Sequence, residues 1–181
     1  KRTMSEGVVF FFFFFDDERF IEQIVKPRLN IDNVNTHRYS SQPDPSVNQV
    51  IGGFQGMYRE LYLLRDFDKG KQNCNSSQDR KEFVKKKFPN IRDDQIIIVK
   101  DAIEGWYLAG LDSEQASNLD VDYHSDTENI GKEEFQSELA SSKFTSKKNF
   151  QMEVIDKFSI SVARDKNSSF NRFLERIDNI L

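Results

Sequence analysis

The sequence predicts an α/β fold: about four mainly parallel strands between helices, with a helical C-terminal part. Three observations carry that prediction. Val8-Val9 and Phe10 to Phe15 form one unbroken apolar run, which suits an inner strand buried on both faces. Two later apolar runs, Leu61 to Leu64 and Gln95 to Val99, are each followed by segments with helical spacing, as in a right-handed βαβ series. From Asp112 onward strand-like runs give way to an acidic, polar stretch and then to Phe and Ile repeats at helical spacing.

The elements follow in order. After the first strand, Asp16-Asp17-Glu18 supplies N-cap and first-turn acids for a helix. Its stripe is Phe20, Ile21, Ile24 and Val25, and Pro27 closes or kinks it. Val34 to Tyr39 is read as an edge strand. Val47, Val50, Ile51 and Phe54 repeat at helical spacing, with Gly52-Gly53 and Gly56 weakening or ending that helix. Leu61-Tyr62-Leu63-Leu64-Arg65 is a buried strand that delivers Asp66. Ser76 and Asp79 form a capping pattern for a helix that Pro89 stops. Gln95 to Val99 is a strand, and Ile103, Trp106, Tyr107 and Leu111 mark a short helix. Beyond it, Glu133 to Leu139 is partly helical. Phe150, Val154, Ile155 and Phe158 mark one late helix. Phe170, Phe173, Leu174, Ile177 and Ile180 mark another, capped by Ser168 or Ser169. Residues 1–111 are expected to form the α/β core, with 112–181 as an acidic excursion and C-terminal helices packed on the same domain.

Composition narrows the function. The 181 residues hold 17 Phe and one Trp, so phenylalanine rings should supply much of the core volume. A net charge of −4 argues against coating nucleic acid by charge alone. Cys74 is the sole cysteine, so no intrachain disulfide can form. With only His37 and His124, zinc clusters and Ser-His-Asp chemistry are disfavoured. The apolar run after Lys1-Arg2 is short and lacks a cleavage site, and no segment approaches the ~20 apolar residues of a membrane span. The expectation is a cytoplasmic protein with no membrane partner.

Asp66-Phe67-Asp68 is the most informative tripeptide. Its acids fall where the strand ends, and ligands of open α/β sheets bind outside the carboxyl ends of strands. Two carboxylates one residue apart can converge on one hard cation such as Mg²⁺; they can equally be turn formers in a solvated loop. Lys69 and Lys71 flank them as solvated lysines or phosphate contacts. Glu104, like Asp101, follows the strand ending near Val99, where it is either a first-turn helix acid or a site residue. Trp106 and Tyr107 read as core rather than as a stacking platform. Arg80, Lys81 and Lys85 to Lys87 read as a solvated basic face.

Several stretches together resemble a family. Asp17-Glu18-Arg19-Phe20 after a strand resembles the end of the first TOPRIM motif. Leu63-Leu64-Arg65-Asp66-Phe67-Asp68 resembles its strand-borne Asp-x-Asp motif. Ile103-Glu104-Gly105-Trp106-Tyr107-Leu108-Ala109 and Asn167-Ser168-Ser169-Phe170-Asn171-Arg172-Phe173-Leu174 are similar to signatures of small TOPRIM-like proteins of the domain-of-unknown-function 4276 type. These are distantly related to the overcoming-lysogenization-defect nucleases.

The resemblance implies Mg²⁺-dependent phosphoryl transfer on nucleic acid, with Asp66 and Asp68 as metal ligands, Asp17 and Glu104 as catalytic candidates, and an ATPase as a possible kind of protein partner. One departure stands out. The first motif usually reads Glu-Gly, two residues, then Asp; with that Asp at Asp17, the Glu falls at Phe13 and the Gly at Phe14. Neither can ligate a cation or move a proton. Asp16 or Asp17 could substitute in a shifted register, though both also serve as helix caps. Two function classes follow: a Mg²⁺-dependent nuclease-like enzyme, or a catalytically inactive binding or regulatory module on the same fold.

Overall fold

The computed structural model describes residues 5–68 and 71–179. Lys1-Arg2, Lys69 and Ile180 lie outside the described residues. The chain divides into two compact units, residues 1–99 with 177–181 and residues 100–176.

The first unit is a four-stranded, wholly parallel sheet in the order β2-β1-β3-β4. β1 (Ser5–Phe12) is an inner strand, paired with β2 (Val34–Arg38) on one side and β3 (Tyr58–Asp66) on the other. β4 (Ile96–Val99) completes the far edge. Val8 to Phe12 are fully buried, each large side chain contributing on the order of 2 kcal/mol of hydrophobic stabilisation.

The run's lack of alternation predicted burial throughout, but it is not buried to its end. Phe14 and Phe15 are 40% and 63% exposed. The strand ends at Phe12, the chain turns, and α1 (Phe15–Phe20) begins inside the phenylalanine run. Phe13 still packs against the core, while Phe14 and Phe15 leave the sheet edge for solvent.

Helix α1 passes through a π-helical turn at Ile21–Val25 into a 3₁₀ turn at Lys26–Arg28 that holds Pro27. Phe20, Ile21, Ile24 and Val25 are buried, as their spacing predicted. Helix α2 (Asp44–Gln55) runs through Gly52-Gly53 and ends at Gly56. Gly52 faces Asn90, whose Nδ2 would lie 2.8 Å from an added Cβ. Helix α3 (Ser77–Lys87) starts with the reciprocal Ser76–Asp79 capping box.

One face of the sheet packs Val9, Phe11, Leu61, Leu63 and Ile96 against Val47 and Ile51 of α2 and Val84 and Phe88 of α3. The β1–β2 connection runs along the sheet opposite to the next two. Right-handed crossovers therefore put α1 on the other face. The chain reverses its winding at β1, which makes the carboxyl ends of β1 and β3 the topological switch point.

The second unit is helical: α4 (Ile103–Ala109), α5 (Ser113–Asn118), α6 (Lys132–Ser141), α7 (Lys147–Asp156), α8 (Ile160–Lys166) and most of α9 (Ser168–Asp178). Trp106 and Tyr107 are fully buried, as core residues. Trp106 stacks on Phe173 and donates through Nε1 to Ser169 Oγ at 2.9 Å. Ser169 Oγ donates to Asn167 Oδ1 (2.8 Å), Asn167 Nδ2 to Thr127 Oγ1 (3.1 Å), and Thr127 Oγ1 to the Lys166 carbonyl (3.3 Å). The residue capping α9 is Asn167, whose Oδ1 accepts the Phe170 N–H at 2.9 Å. Ser168 and Ser169, the expected caps, lie inside the helix, and Ser169 is engaged with Trp106. Gly105 lets this network close, since a Cβ there would meet the Thr127 carbonyl at 2.8 Å. Among the described residues, no helix is long and apolar enough to cross a membrane.

Candidate cation site at the carboxyl edge of the sheet

Asp66 is the last residue of β3 and is 6% exposed. Its register partner is Val99, and the following amide, Phe67 N–H, donates to the Val99 carbonyl at 2.8 Å. The sheet thus fixes the Asp66 backbone at the switch point. The chain then turns, with Asp68 at φ 45°. Aspartate tolerates that left-handed conformation better than most residues. Asp68 faces Lys71, Nζ to Oδ1 3.2 Å.

Arg80 holds this loop. The sequence placed it on a solvated basic face, but it is fully buried. Its Nε donates to the Phe67 carbonyl at 2.8 Å and its Nη2 to the Asp68 carbonyl at 2.9 Å. It also donates to the Gln72 side chain. Three lysines of the same stretch do face solvent or surface acids, Lys85 reaching Asp93 and Lys87 reaching Asp44. Cys74, at the end of the loop, is buried.

Two residues that no sequence motif flagged complete the edge. Tyr39 follows β2, its N–H donating to the Phe12 carbonyl at 3.1 Å. Arg65 precedes Asp66 and points to the opposite sheet face by strand alternation. Between them stands Phe13, with its ring 5.4 Å from that of Tyr39 and 4.3 Å from the Arg65 guanidinium carbon. The Tyr39 hydroxyl is pushed up to about 12, chiefly by burial; Arg65 opposes the shift, while the charges of Asp17 and Asp66 add to it. Asp17, in the first turn of α1, and Asp66, at the end of β3, thus both act on the charge of Tyr39.

Asp17 is 5% exposed and accepts the Phe14 N–H through Oδ2 at 2.9 Å. It fills its predicted cap role, and Asp16 pairs with Arg19 at 3.2 Å. Phe14 has ordinary extended backbone, φ −112°, so its position makes no demand for the glycine of the first TOPRIM motif. Glu104 belongs to the second unit. It is 1% exposed, accepts from Lys147 Nζ at 2.9 Å through Oε1, and has no hydrogen bond at Oε2 among the described residues.

Among the described residues, no three His, Cys, Asp or Glu side chains gather into a ready-made ion cage. Mg²⁺ is commonly held by one or two carboxylates, with water and phosphate oxygens completing its shell. Asp66 and Asp68, hard oxygen donors on a strand end and a clamped loop, fit that mode of binding.

No family model and no curated protein sequence matches the chain. A solved structure, the C-terminal region of the Burkholderia pseudomallei OLD protein, is similar with a TM-score of 0.58. The match covers 99% of this chain and 100% of that one at 13% identity. At that identity the likeness is one of fold. It bears out the α/β class, a four-stranded parallel sheet with helices.

Proposed function

We propose that this chain is a cytoplasmic TOPRIM-like module for Mg²⁺-dependent phosphodiester hydrolysis on nucleic acid, of the small domain-of-unknown-function 4276 type, with Asp66 and Asp68 as the metal ligands. The observation that carries this reading is the placement of Asp66, buried at the end of β3 at the switch point of a parallel sheet, with Asp68 next to it on the loop that Arg80 holds. Gathering like charges in a buried place opposes stability and is expected where a ligand cation offsets it. The fold likeness to the OLD protein region supports the same direction.

In this reading Mg²⁺, when bound, supplies charge neutralisation on a phosphate and a more acidic water nucleophile. The chain's own contribution is positional. The β3–β4 ladder fixes Asp66, and Arg80 fixes the carbonyls on either side of Asp68. Asp17, in the first turn of α1, is the acid–base candidate of the first unit, although its Oδ2 is engaged by the Phe14 amide. Glu104, held by Lys147, is the second catalytic candidate from sequence.

Phe13 favours a second reading, a binding or regulatory module acting with nucleic acid or a protein partner such as an ATPase. It packs between Tyr39 and Arg65 where the first-motif acid would stand. Losing a positioned acid or base typically removes about 10²–10⁴ in rate.

Calorimetric Mg²⁺ and Mn²⁺ titration tests the metal site. Wild type should bind in the millimolar range or tighter, and Asp66→Asn and Asp68→Asn should each weaken binding at least about tenfold without loss of fold. No binding by wild type refutes the site. Cleavage of labelled DNA and RNA, lost in Asp68→Asn, separates the enzyme from the inactive module.

A further inference from the structure

We propose that the exposed turn Phe14-Phe15, with Arg38, is a stacking platform for single-stranded nucleic acid at the carboxyl edge of the sheet. The inference rests on the nucleic-acid reading above and is independent of its metal. Phe14 and Phe15 are among the few large apolar side chains of the described residues left in solvent. They sit at the switch-point edge, where sheets of this class bind ligands. An exposed aromatic pair there opposes solubility unless a partner uses it.

The flanking guanidiniums name the partner's chemistry. Arg38, the last residue of β2, lies over the Phe15 ring with Cζ 3.3 Å from its centroid. Its Nη1 is buried and meets no hydrogen-bond acceptor among the described residues. Arg65 lies over Phe13, whose ring meets Phe14 edge-on at 4.7 Å. Rings for base faces, interleaved with planar cations for phosphate, are how single strands are held without reading sequence. The mode also suits an acidic chain, because stacking on the rings adds to the few charge contacts with phosphate. The acids next in sequence are tied down locally, Asp16 to Arg19 and Asp17 to the Phe14 amide. A duplex hides its base faces, so single strands are the substrate class.

The test is fluorescence anisotropy with labelled oligo(dT) and oligo(rU) at low salt in EDTA, on the full chain. Wild type should bind either strand better than a duplex. Phe15→Ala and Phe14→Ala should each weaken binding roughly tenfold or more. Phe15→Leu should weaken it similarly, since it keeps apolar bulk and loses the ring face. Phe15→Trp should retain affinity and show quenching of indole emission on binding, a readout that also certifies a folded platform. Arg38→Gln should lower the salt slope by about one phosphate. Met152→Ala, at an exposed apolar side chain of α7, should leave oligonucleotide affinity unchanged, and because binding is read in EDTA, failure of the metal site and failure of the platform are separate results. Absence of wild-type binding overturns the platform, as does wild-type affinity in Phe15→Ala. So does a change in elution volume showing that the aromatic pair joins two copies of the chain.

Discussion

Two sets of buried polar side chains, one in each unit, are arranged in different ways. In the second, donors and acceptors answer one another in a line from Trp106 through Ser169, Asn167 and Thr127 to the Lys166 carbonyl. At the edge of the first, burial raises the pKa of the Tyr39 hydroxyl to about 12, with Arg65 opposing the rise and the charges of Asp17 and Asp66 adding to it. The first arrangement is what a chain does to specify its own packing. The second sets charged groups around a buried hydroxyl at a sheet edge, an arrangement suited to receiving a ligand. The contrast also gives the two sequence signatures a packing role: Ile103 to Ala109 and Asn167 to Leu174 meet through Trp106, Ser169 and Phe173.

The largest effect should come from breaking the lock. Trp106→Ala removes a fully buried ring and the first donor of the line, and should cost about 3–5 kcal/mol in urea unfolding. Oligonucleotide and Mn²⁺ affinities measured on the remaining folded protein should not follow. A smaller loss there than at an exposed aromatic would erase the distinction between the units.

Arg80→Met should come next. It leaves the Phe67 and Asp68 carbonyls without their donor at a cost of about 3 kcal/mol. Unlike Trp106→Ala, it should also weaken Mn²⁺ binding, because the same contacts aim the acids. Unchanged Mn²⁺ affinity in a folded Arg80→Met protein would detach the clamp from the site.

Alkaline titration should give a smaller effect. Tyr39 keeps its proton to about 12 in the folded state against 10.0 for an ordinary tyrosine. The native state thus binds more protons across that window, and stability must fall as pH rises from about 10 to 12, by on the order of 2–3 kcal/mol. Asp66→Asn removes one nearby negative charge and should move the tyrosinate absorbance transition to lower pH. An unmoved transition would place Asp66 away from Tyr39.

Most elements were legible in the sequence because their signals are local. The capping pair Ser76–Asp79, the stripe Phe20–Val25 and the apolar run into Asp66 each need only their neighbours. The end of β1 was not legible. Six identical residues carry no periodicity, so nothing marks where strand becomes turn and turn becomes helix. Helix α8 was missed because it buries only Ala163 and Lys166, too little to show a stripe. Arg80 reads as surface in any composition-based view, and its burial follows from carbonyls that a loop presents only after folding. Of the candidate site, Asp66, Asp68 and Asp17 could be named from motifs. Tyr39 and Arg65 could be found only through register, which puts three strands' ends in one row.

Cys74 gives the clamped loop a clock. It is the only thiol in the chain, and it is buried at the point where the loop held by Arg80 rejoins α3. A thiol reagent can reach it only when that segment opens, so the rate of modification counts openings without any introduced label. Whether ions or oligonucleotides slow that clock can be measured on the unaltered protein, in the same cuvette and on a timescale of seconds to hours.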